Sequence, residues 1–576
     1  MTAHLLIGPV LRRVVGDRAT IWVETTEPAT VRVEAEGGGA GSANTFAAYG
    51  HHYALVIVEG LTPGAASSYR VFLDDRAVWP AADSTYPPSV IRTRPAQDDD
   101  VPVRLIFGSC REATPHSTAR HLPPDALDSY SRRLMGDPQN PDLRPDLIVL
   151  LGDQVYADNT SDKVKRFLRR RRAAGHQGPD DQVVTFDEYT KLYLESWRDP
   201  EIRWLLSTVP SVMIFDDHEL IDDWNTSESW RQDMAATSWW IERIAGGLAS
   251  YWVYQHLGNL SPDSLAADEL YQKVLGAGDA TVLLHDFGRS VDSAASTESG
   301  GRYQWSFALD LGRTRLVMLD NRCNRVLTPG AREMLPGHEW AWFIDQAHGD
   351  YDHLVVGSSL PWLMPPAIHH LEAWNERTAD SGNPRVAAYA EKIRRAFDLE
   401  HWAAFSRSFA ALGELFRRLG EGGDGAPTHR VGAGGAYAAP ATISVLSGDV
   451  HHSYVARADF GDAMRTPVMQ LTCSPVHNQV PAFMRPLMRF SWSRAAAKGV
   501  RGLARSAGVR RPNWTWKRLA GPYFGNAVST LRLTGRTAEV RVEGTEKGGD
   551  LFTVAEVGYG PDNNADEYLD RARGAA

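Results

Sequence analysis

Residues 146–156 read Asp-Leu-Ile-Val-Leu-Leu-Gly-Asp-Gln-Val-Tyr. An apolar run of this length, bounded by a glycine and an acid, predicts a buried strand over 146–151 with Gly152 and Asp153 at its carboxyl end. The pattern recurs along the chain. Apolar runs at 103–107, 211–215, 314–319, 353–357, 442–447 and 467–471 predict further strands, and most run directly into polar residues: Ser109-Cys110, Asp216-Asp217-His218, Asp320, Ser358-Ser359 and Gly448-Asp449-Val450-His451. In open α/β sheets ligands bind outside the carboxyl ends of strands, so residues hundreds of positions apart converge there on one site.

Around this core of strands the chain is long and ordinary in composition. At 576 residues, 43% hydrophobic and 23% charged, it predicts a globular protein of two or more domains. A net charge of −10 excludes a nucleic-acid binder acting through its whole surface. Cys110, Cys323 and Cys473 are too few and too scattered for a disulfide framework, which points to a reducing compartment. No apolar run reaches the ~18 residues of a membrane span, and the start, including Arg12-Arg13, lacks the apolar helix of an export signal. A cytoplasmic protein without a transmembrane segment is expected.

Residues 4–94 alternate with period two, Val31, Val33 and Ala35 against Arg32, Glu34 and Glu36, and predict an all-β module. Tyr69, after the turn Gly60-Leu-Thr-Pro-Gly64, is placed to bond back to its corner as in fibronectin-type sandwiches. Residues 95–102 suit a linker. Helices are expected over 227–257 and 385–420, and a loop over 421–436. The division is thus an N-terminal β-sandwich, 1–97, a catalytic domain with helical insertions, 101–545, and a C-terminal tail, 546–576.

The polar residues at the strand ends suit one chemistry. Hydrolysis of a phosphate ester needs a nucleophile made from water and positive charge on the phosphoryl oxygens, and neighbouring metal ions supply both. A carboxylate, with two oxygens, can bridge two cations. Asp153 is the bridging candidate, and Tyr156 can reach the same ion. Asp217 with His218 and Glu219, and Asp449 with His451, follow other strands. Each motif alone is equally well a capping acid or a core histidine; together, at strand ends, they favour a metal site. Cys110 reads as an inert core thiol, a nucleophile or a metal-bound thiolate. Arg111 and Arg322 offer guanidinium forks to phosphate oxygens.

Gly108-Ser-Cys110, Gly152-Asp-Gln-Val-Tyr156, Asp216-Asp-His-Glu219 and Ser447-Gly-Asp-Val-His451, in this order after a β-sandwich, resemble the PhoD-like alkaline phosphatases of the calcineurin-like metallophosphoesterase superfamily. The resemblance runs over roughly 5–545. It implies an α/β (α+β layered) metallophosphoesterase sandwich preceded by an immunoglobulin/fibronectin-like sandwich. It also implies metal-dependent hydrolysis of phosphate mono- or diesters, with Fe(III) and Ca(II) in a two- or three-metal cluster. Carried onto this sequence, Cys110, Tyr156 and His451 would hold the ferric ion, Asp153 would bridge, and Asp217 and Asp449 would complete the calcium side. His218 would assist the leaving group, with Glu219 orienting it, and Arg111 or Arg322 would bind substrate. The partner implied is a phosphorylated small molecule or polymer. Where relatives carry Asn soon after Asp-Asp-His-Glu, this chain has Asp222 and Asp223 before Asn225.

Between Asp462 and Glu539 there is no acidic residue, while Arg485, Arg489, Arg494, Lys498, Arg501, Arg505, Arg510 and Arg511 recur. This segment reads as a solvated helix face or as an electropositive lid that steers phosphorylated substrates or rests on an anionic surface. Arg169–Arg172 reads the same way. Two other functions fit parts of the pattern: a metal-independent Cys/His hydrolase built on Cys110, and a non-catalytic module that binds phosphorylated ligands or a partner.

Overall fold

Successive side chains of a strand point to opposite faces, and here both faces are buried. In Val103–Gly108, Val103, Leu105 and Phe107 enter one core while Ile106 enters another. Leu147–Leu151 divides in the same way, Leu147, Val149 and Leu151 against Ile148 and Leu150. The structure is a computed structural model that describes residues 2–113, 122–294, 303–422, 439–461 and 464–561. Among the described residues the strands form four sheets.

Val103–Gly108, Leu147–Leu151 and Ser211–Ile214 run parallel, Leu105 opposite Leu147 and Ile148 opposite Ser211. Ala527–Thr534, Thr537–Thr545 and Leu551–Tyr559 extend this sheet antiparallel. The last of these lies in the stretch expected to be a tail. A second sheet places Phe307–Leu311, Thr314–Leu319, His353–Ser358, Thr442–Ser447, Val468–Thr472, Ser453–Asp459 and Thr515–Tyr523 side by side. The two sheets share an inner core that includes Leu105, Val149, Leu316, Met318, Leu446 and Met469. Helices cover the outer faces, Trp240–Tyr254 on one side and Gly337–Gln346 with Ser406–Glu421 on the other. The result is a mixed α/β architecture in which the seven expected strands all occur.

The N-terminal region is all-β. Leu5–Val15, Arg18–Thr25, His51–Val58 and Phe46–Ala48 make one sheet; Ala40–Asn44, Thr30–Ala35, Ala66–Leu73 and Arg76–Trp79 make another, with Val90–Arg92 paired to Ala66–Leu73. Ile21, Val23, Val31, Val33, Val56 and Val71 form their common core. Tyr69 does not bond back to its own corner: its hydroxyl donates to the Ser207 carbonyl at 2.6 Å, at the end of helix Pro200–Thr208. Arg12 likewise crosses to the catalytic part, donating to the carbonyls of Tyr254 and Gln255 and to Asn259 Oδ1.

Both long helices expected from sequence are broken. The stretch 227–257 forms Glu228–Ala235 and Trp240–Tyr254. The stretch 385–420 forms Pro384–Ala396 and Ser406–Glu421 around an interruption at 397–405 that contains a short 3-10 turn. Of the loop expected at 421–436, the part from 423 onward lies outside the described residues. In the Arg169–Arg172 run, Arg171 and Arg172 are not a free basic face, because both bind Glu188, which itself caps helix Phe186–Trp197.

Candidate active site

The carboxyl ends of the parallel strands carry loops that are stitched to one another. The Cys110 N–H donates to Gly152 O at 3.2 Å, Arg111 N–H to Asp153 O at 3.0 Å, Gly448 N–H to Ser359 O at 2.8 Å, and Asp449 N–H to Ser109 Oγ at 3.1 Å. Close stitching needs small residues. A Cβ on Gly152, whose φ is +105°, would lie 2.5 Å from Asp216 Cβ, and one on Gly448 would lie 2.0 Å from Ser109 Oγ. Cys110, Asp153, Asp449 and His451 all have positive φ, at 57°, 52°, 65° and 48°. That conformation costs about 1–3 kcal/mol for each non-glycine residue. Each buried Val, Leu or Ile of the adjoining strands contributes ~1.5–3 kcal/mol, so the strands can hold the strained turns in place. Four strained residues at the strand ends of the two facing sheets, all polar or thiol-bearing, mark a site.

The carboxylates converge with their oxygens unsatisfied. Ligand atoms of Asp153, Asp217 and His218 lie within 4.8 Å of one another, and so do those of Asp216, Asp217 and Asp449. Asp153 Oδ1, Asp216 Oδ2, Asp217 Oδ1, Asp223 Oδ1 and Asn225 Oδ1 are buried and accept no hydrogen bond. Burial, joined by the repulsion of neighbouring acids, pushes Asp153 and Asp216 well above the usual carboxylate range and raises Asp217. Burial first, then Asp153 and Asp449, raises the Cys110 thiol in the same way. A buried anion needs a partner, and these oxygens and this sulfur fit cations.

Three expected metal ligands flank the carboxylates. Cys110 Sγ lies 3.1 Å from Ser109 Oγ and 3.3 Å from Ser474 Oγ. The Tyr156 hydroxyl lies 3.4 Å from Asp153 Oδ2 and accepts from Asn478 Nδ2 at 2.9 Å. His451 is pushed down to about 4 by burial and by His218, which keeps the imidazole neutral, the form that binds metals.

His218 stands at the rim, its side chain 24% exposed. Its orienting partner is Asp158, both of whose oxygens lie 3.0 Å from His218 Nδ1. Burial opposes charge on the imidazole, but Asp158 and then Asp217 and Asp153 hold its pKa well above the usual value. Glu219, expected to orient His218, instead accepts from the N–H groups of Asp216 and Gln154 and from Gln255 Nε2, and so braces two of the loops.

Both arginines expected to grip substrate are engaged with the protein. Arg111 donates to Asp125 at 2.7 Å and to Ser196 O and Oγ. Arg322 is fully buried; it binds Asp216 and Glu400 and lies 3.4 Å from Asp217 and 3.5 Å from Asp449. It offsets part of the carboxylate charge from within. Ser358 and Ser359 bind Asn321 and so support the loop that carries Arg322.

Sequence reasoning missed Asp158, Glu400 and His401. His401 Nε2 lies 3.0 Å from Asp449 Oδ2 and its Nδ1 lies 2.7 Å from Glu372 Oε1, a buried relay that aims Asp449. Glu400 and His401 reach the site because the 385–420 helix is interrupted, and no proline or glycine in 397–405 announces that interruption. Asp158 carried a weak signal as a second acid near Asp153.

Known proteins resemble the chain in both parts. The PhoD-like phosphatase family model matches residues 132–488, and a Domain of unknown function (DUF7800) matches residues 2–91. No curated relative matches in sequence. A solved structure described as the structure of PhoD is similar with a TM-score of 0.57 at 12% identity, covering 96% of this chain and 90% of that one, a likeness of fold. A purple acid phosphatase isolated from yellow lupin (Lupinus luteus) seeds gives a TM-score of 0.47 at 9% identity, covering 95% and 73%.

Proposed function

This chain belongs to the PhoD-like phosphatase family and is a metal-dependent phosphoric ester hydrolase, and we propose that the strand-end cluster is where it works on phosphate mono- or diesters. The observation that carries the assignment is the convergence of buried, unsatisfied oxygens from Asp153, after one strand, with those of Asp216 and Asp217, after its neighbour, beside Asp449. In this reading Asp153, Asp217 and Asp449 would hold a hard cation such as Ca(II), and Cys110, Tyr156 and His451, together with Asp153, would hold Fe(III). Phenolate and thiolate are good donors to iron, and carboxylate oxygens suit calcium.

When bound, the metals supply positive charge to the phosphoryl oxygens and acidify water. The chain's own residues do the rest. Asp158 holds His218 charged through Nδ1, which leaves the Nε2 proton for the departing ester oxygen as its bond to phosphorus breaks. Arg322 and His401 fix the carboxylates from behind, and Glu219 keeps the Gly152 and Asp216 loops in register. The cationic helices Arg485–Ser491 and Arg494–Ser506 pack on helix Pro366–Ala379, whose Glu372 binds His401, and on this side of the site they would draw in phosphorylated substrates. The N-terminal residues 1–97 are assigned as an immunoglobulin- or fibronectin-like sandwich that braces the catalytic domain, which runs from 101 through the strand Leu551–Tyr559.

The test combines metal analysis, a visible spectrum and turnover of p-nitrophenyl phosphate and bis(p-nitrophenyl) phosphate. Iron and calcium at stoichiometric levels, a coloured band lost in Tyr156→Phe, and activity abolished by chelation are expected. A colourless active enzyme would overturn the iron assignment alone. Activity that survives metal removal and dies on thiol alkylation would instead establish the Cys110 hydrolase.

A further inference from the structure

At the opposite end of the same strands lies a second polar cavity. A cleft of about 430 Å³ is walled on one side by the N-terminal domain, through Val14, Gly64 and the 92–95 stretch, and on the other by the catalytic sheets. Pro102, Leu147 and Pro210 line it, so it opens at the amino ends of the strands that begin at Val103, Leu147 and Ser211. Leu147 and Asp153 are six residues apart along one strand direction, which at 3.3 Å per residue separates the cleft from the metal cluster by roughly 20 Å.

Seven arginines and two aspartates line this cleft. Both aspartates are already shared. Asp146 lies 3.5 Å from Arg94, which also holds Asp98 at 2.6 Å, and Asp142 lies 3.3 Å from Arg104 and 3.9 Å from Arg532. Arg13, Arg92 and Arg144 have no carboxylate partner among the described residues. Arg13 donates to the Asn259 carbonyl at 2.6 Å and Arg144 to the Thr208 carbonyl at 2.7 Å, bonds that hold the side chains in place without neutralising them. Burial pushes Arg13 down to about 10, and burial together with Arg92 pushes Arg144 down to about 10. Arg92 and Arg144 lie close enough to oppose each other's charge, and a cleft lined by more arginines than carboxylates calls for an anion.

We propose that this interdomain cleft is a binding site for a small phosphorylated organic anion, separate from the metal cluster. Several guanidinium groups around one cavity favour a multivalent oxyanion that accepts paired N–H donors, which phosphate does better than a single carboxylate. Pro95, Pro141, Pro145, Leu309 and Leu311 add apolar surface among the arginines on both sides. That surface suits the organic part of such a ligand, and the volume exceeds what inorganic phosphate alone would fill. A ligand here touches both domains, so its binding energy adds to the stability of their junction.

The probe is inorganic phosphate, compared with chloride at equal ionic strength, on the metal-loaded full chain. Equilibrium binding should show two sites on the wild type, one at the metal cluster and one in the cleft. Arg92→Glu combined with Arg532→Glu alters only exposed side chains at the rim. It should weaken the cleft site by about tenfold or more while p-nitrophenyl phosphate turnover stays within about twofold. Asp153→Asn should remove the other site and leave the cleft site intact. Arg104→Gln serves as an independent second variant with the same expected loss at the cleft. Binding that vanishes entirely in Asp153→Asn, or that is unchanged in both arginine variants, would overturn the proposal. Failure of the metal-site reading would show differently, as a cleft site that persists in a chain without chelator-sensitive turnover.

Discussion

His51 ties the N-terminal domain to the catalytic domain by charge, and removing it should change how stability depends on pH. Its Nδ1 lies 2.8 Å from Glu24 Oε1, and its Nε2 lies 3.5 Å from Asp187 Oδ1 at the start of helix Phe186–Trp197. Burial opposes the charged ring, but the bonds to Asp187 and Glu24 outweigh it and raise the pKa to about 9. Against an unfolded value of ~6.5 this is a gap of ~2.5, worth at most ~3 kcal/mol. The side chain is 15% exposed, so solvent screening reduces the figure to on the order of 2 kcal/mol. Because the folded pKa is raised, the stabilisation is fully present below pH ~6.5 and is lost as pH rises through about 9. His51→Gln should therefore unfold at a temperature lower by roughly 2 °C at pH 6, with the gap closing near pH 10. Thermal unfolding of both proteins across this range is the assay. Parallel curves, with a constant gap or none, would refute the charge linkage.

Asp158→Asn should lower kcat by about 10–100-fold without changing metal content, because it removes the charge that holds His218 protonated; Asp158→Glu should recover part of the loss, and an unchanged kcat would show that His218 needs no such partner. Arg322→Met should destabilise the chain by about 3–5 kcal/mol, since Asp216 and Glu400 lose their buried counter-charge. Chemical denaturation reads this directly, and a change under 1 kcal/mol would mean that the cations already neutralise the cluster. Tyr69→Phe should cost about 1 kcal/mol by orphaning the Ser207 carbonyl, and it should leave turnover of small esters unchanged, as measured by unfolding and by initial rates.

The chain by itself determined the elements whose signal is local. A run such as Leu147–Leu151 is apolar because both its faces are covered, and the polar residues that follow it announce where the strand stops. This made the parallel strands and the alternating N-terminal module legible, and it put Cys110, Asp153, Tyr156, Asp217, His218, Asp449 and His451 forward as candidates at strand ends, before any packing was known. Edge strands were harder: Thr515–Tyr523 carries Lys517, Arg518 and Pro522 and has little apolar pattern to betray it. What only the tertiary structure decided was partnership. Asp158 rather than Glu219 orients His218, Arg322 is a buried counter-charge, Tyr69 anchors one domain to the other, and a break at 397–405 delivers Glu400 and His401 to Asp449. Hydrogen bonds and ion pairs act over about 3–4 Å between residues far apart in sequence, so residue types can name the donors and acceptors, but only the packed sheets determine which of them meet.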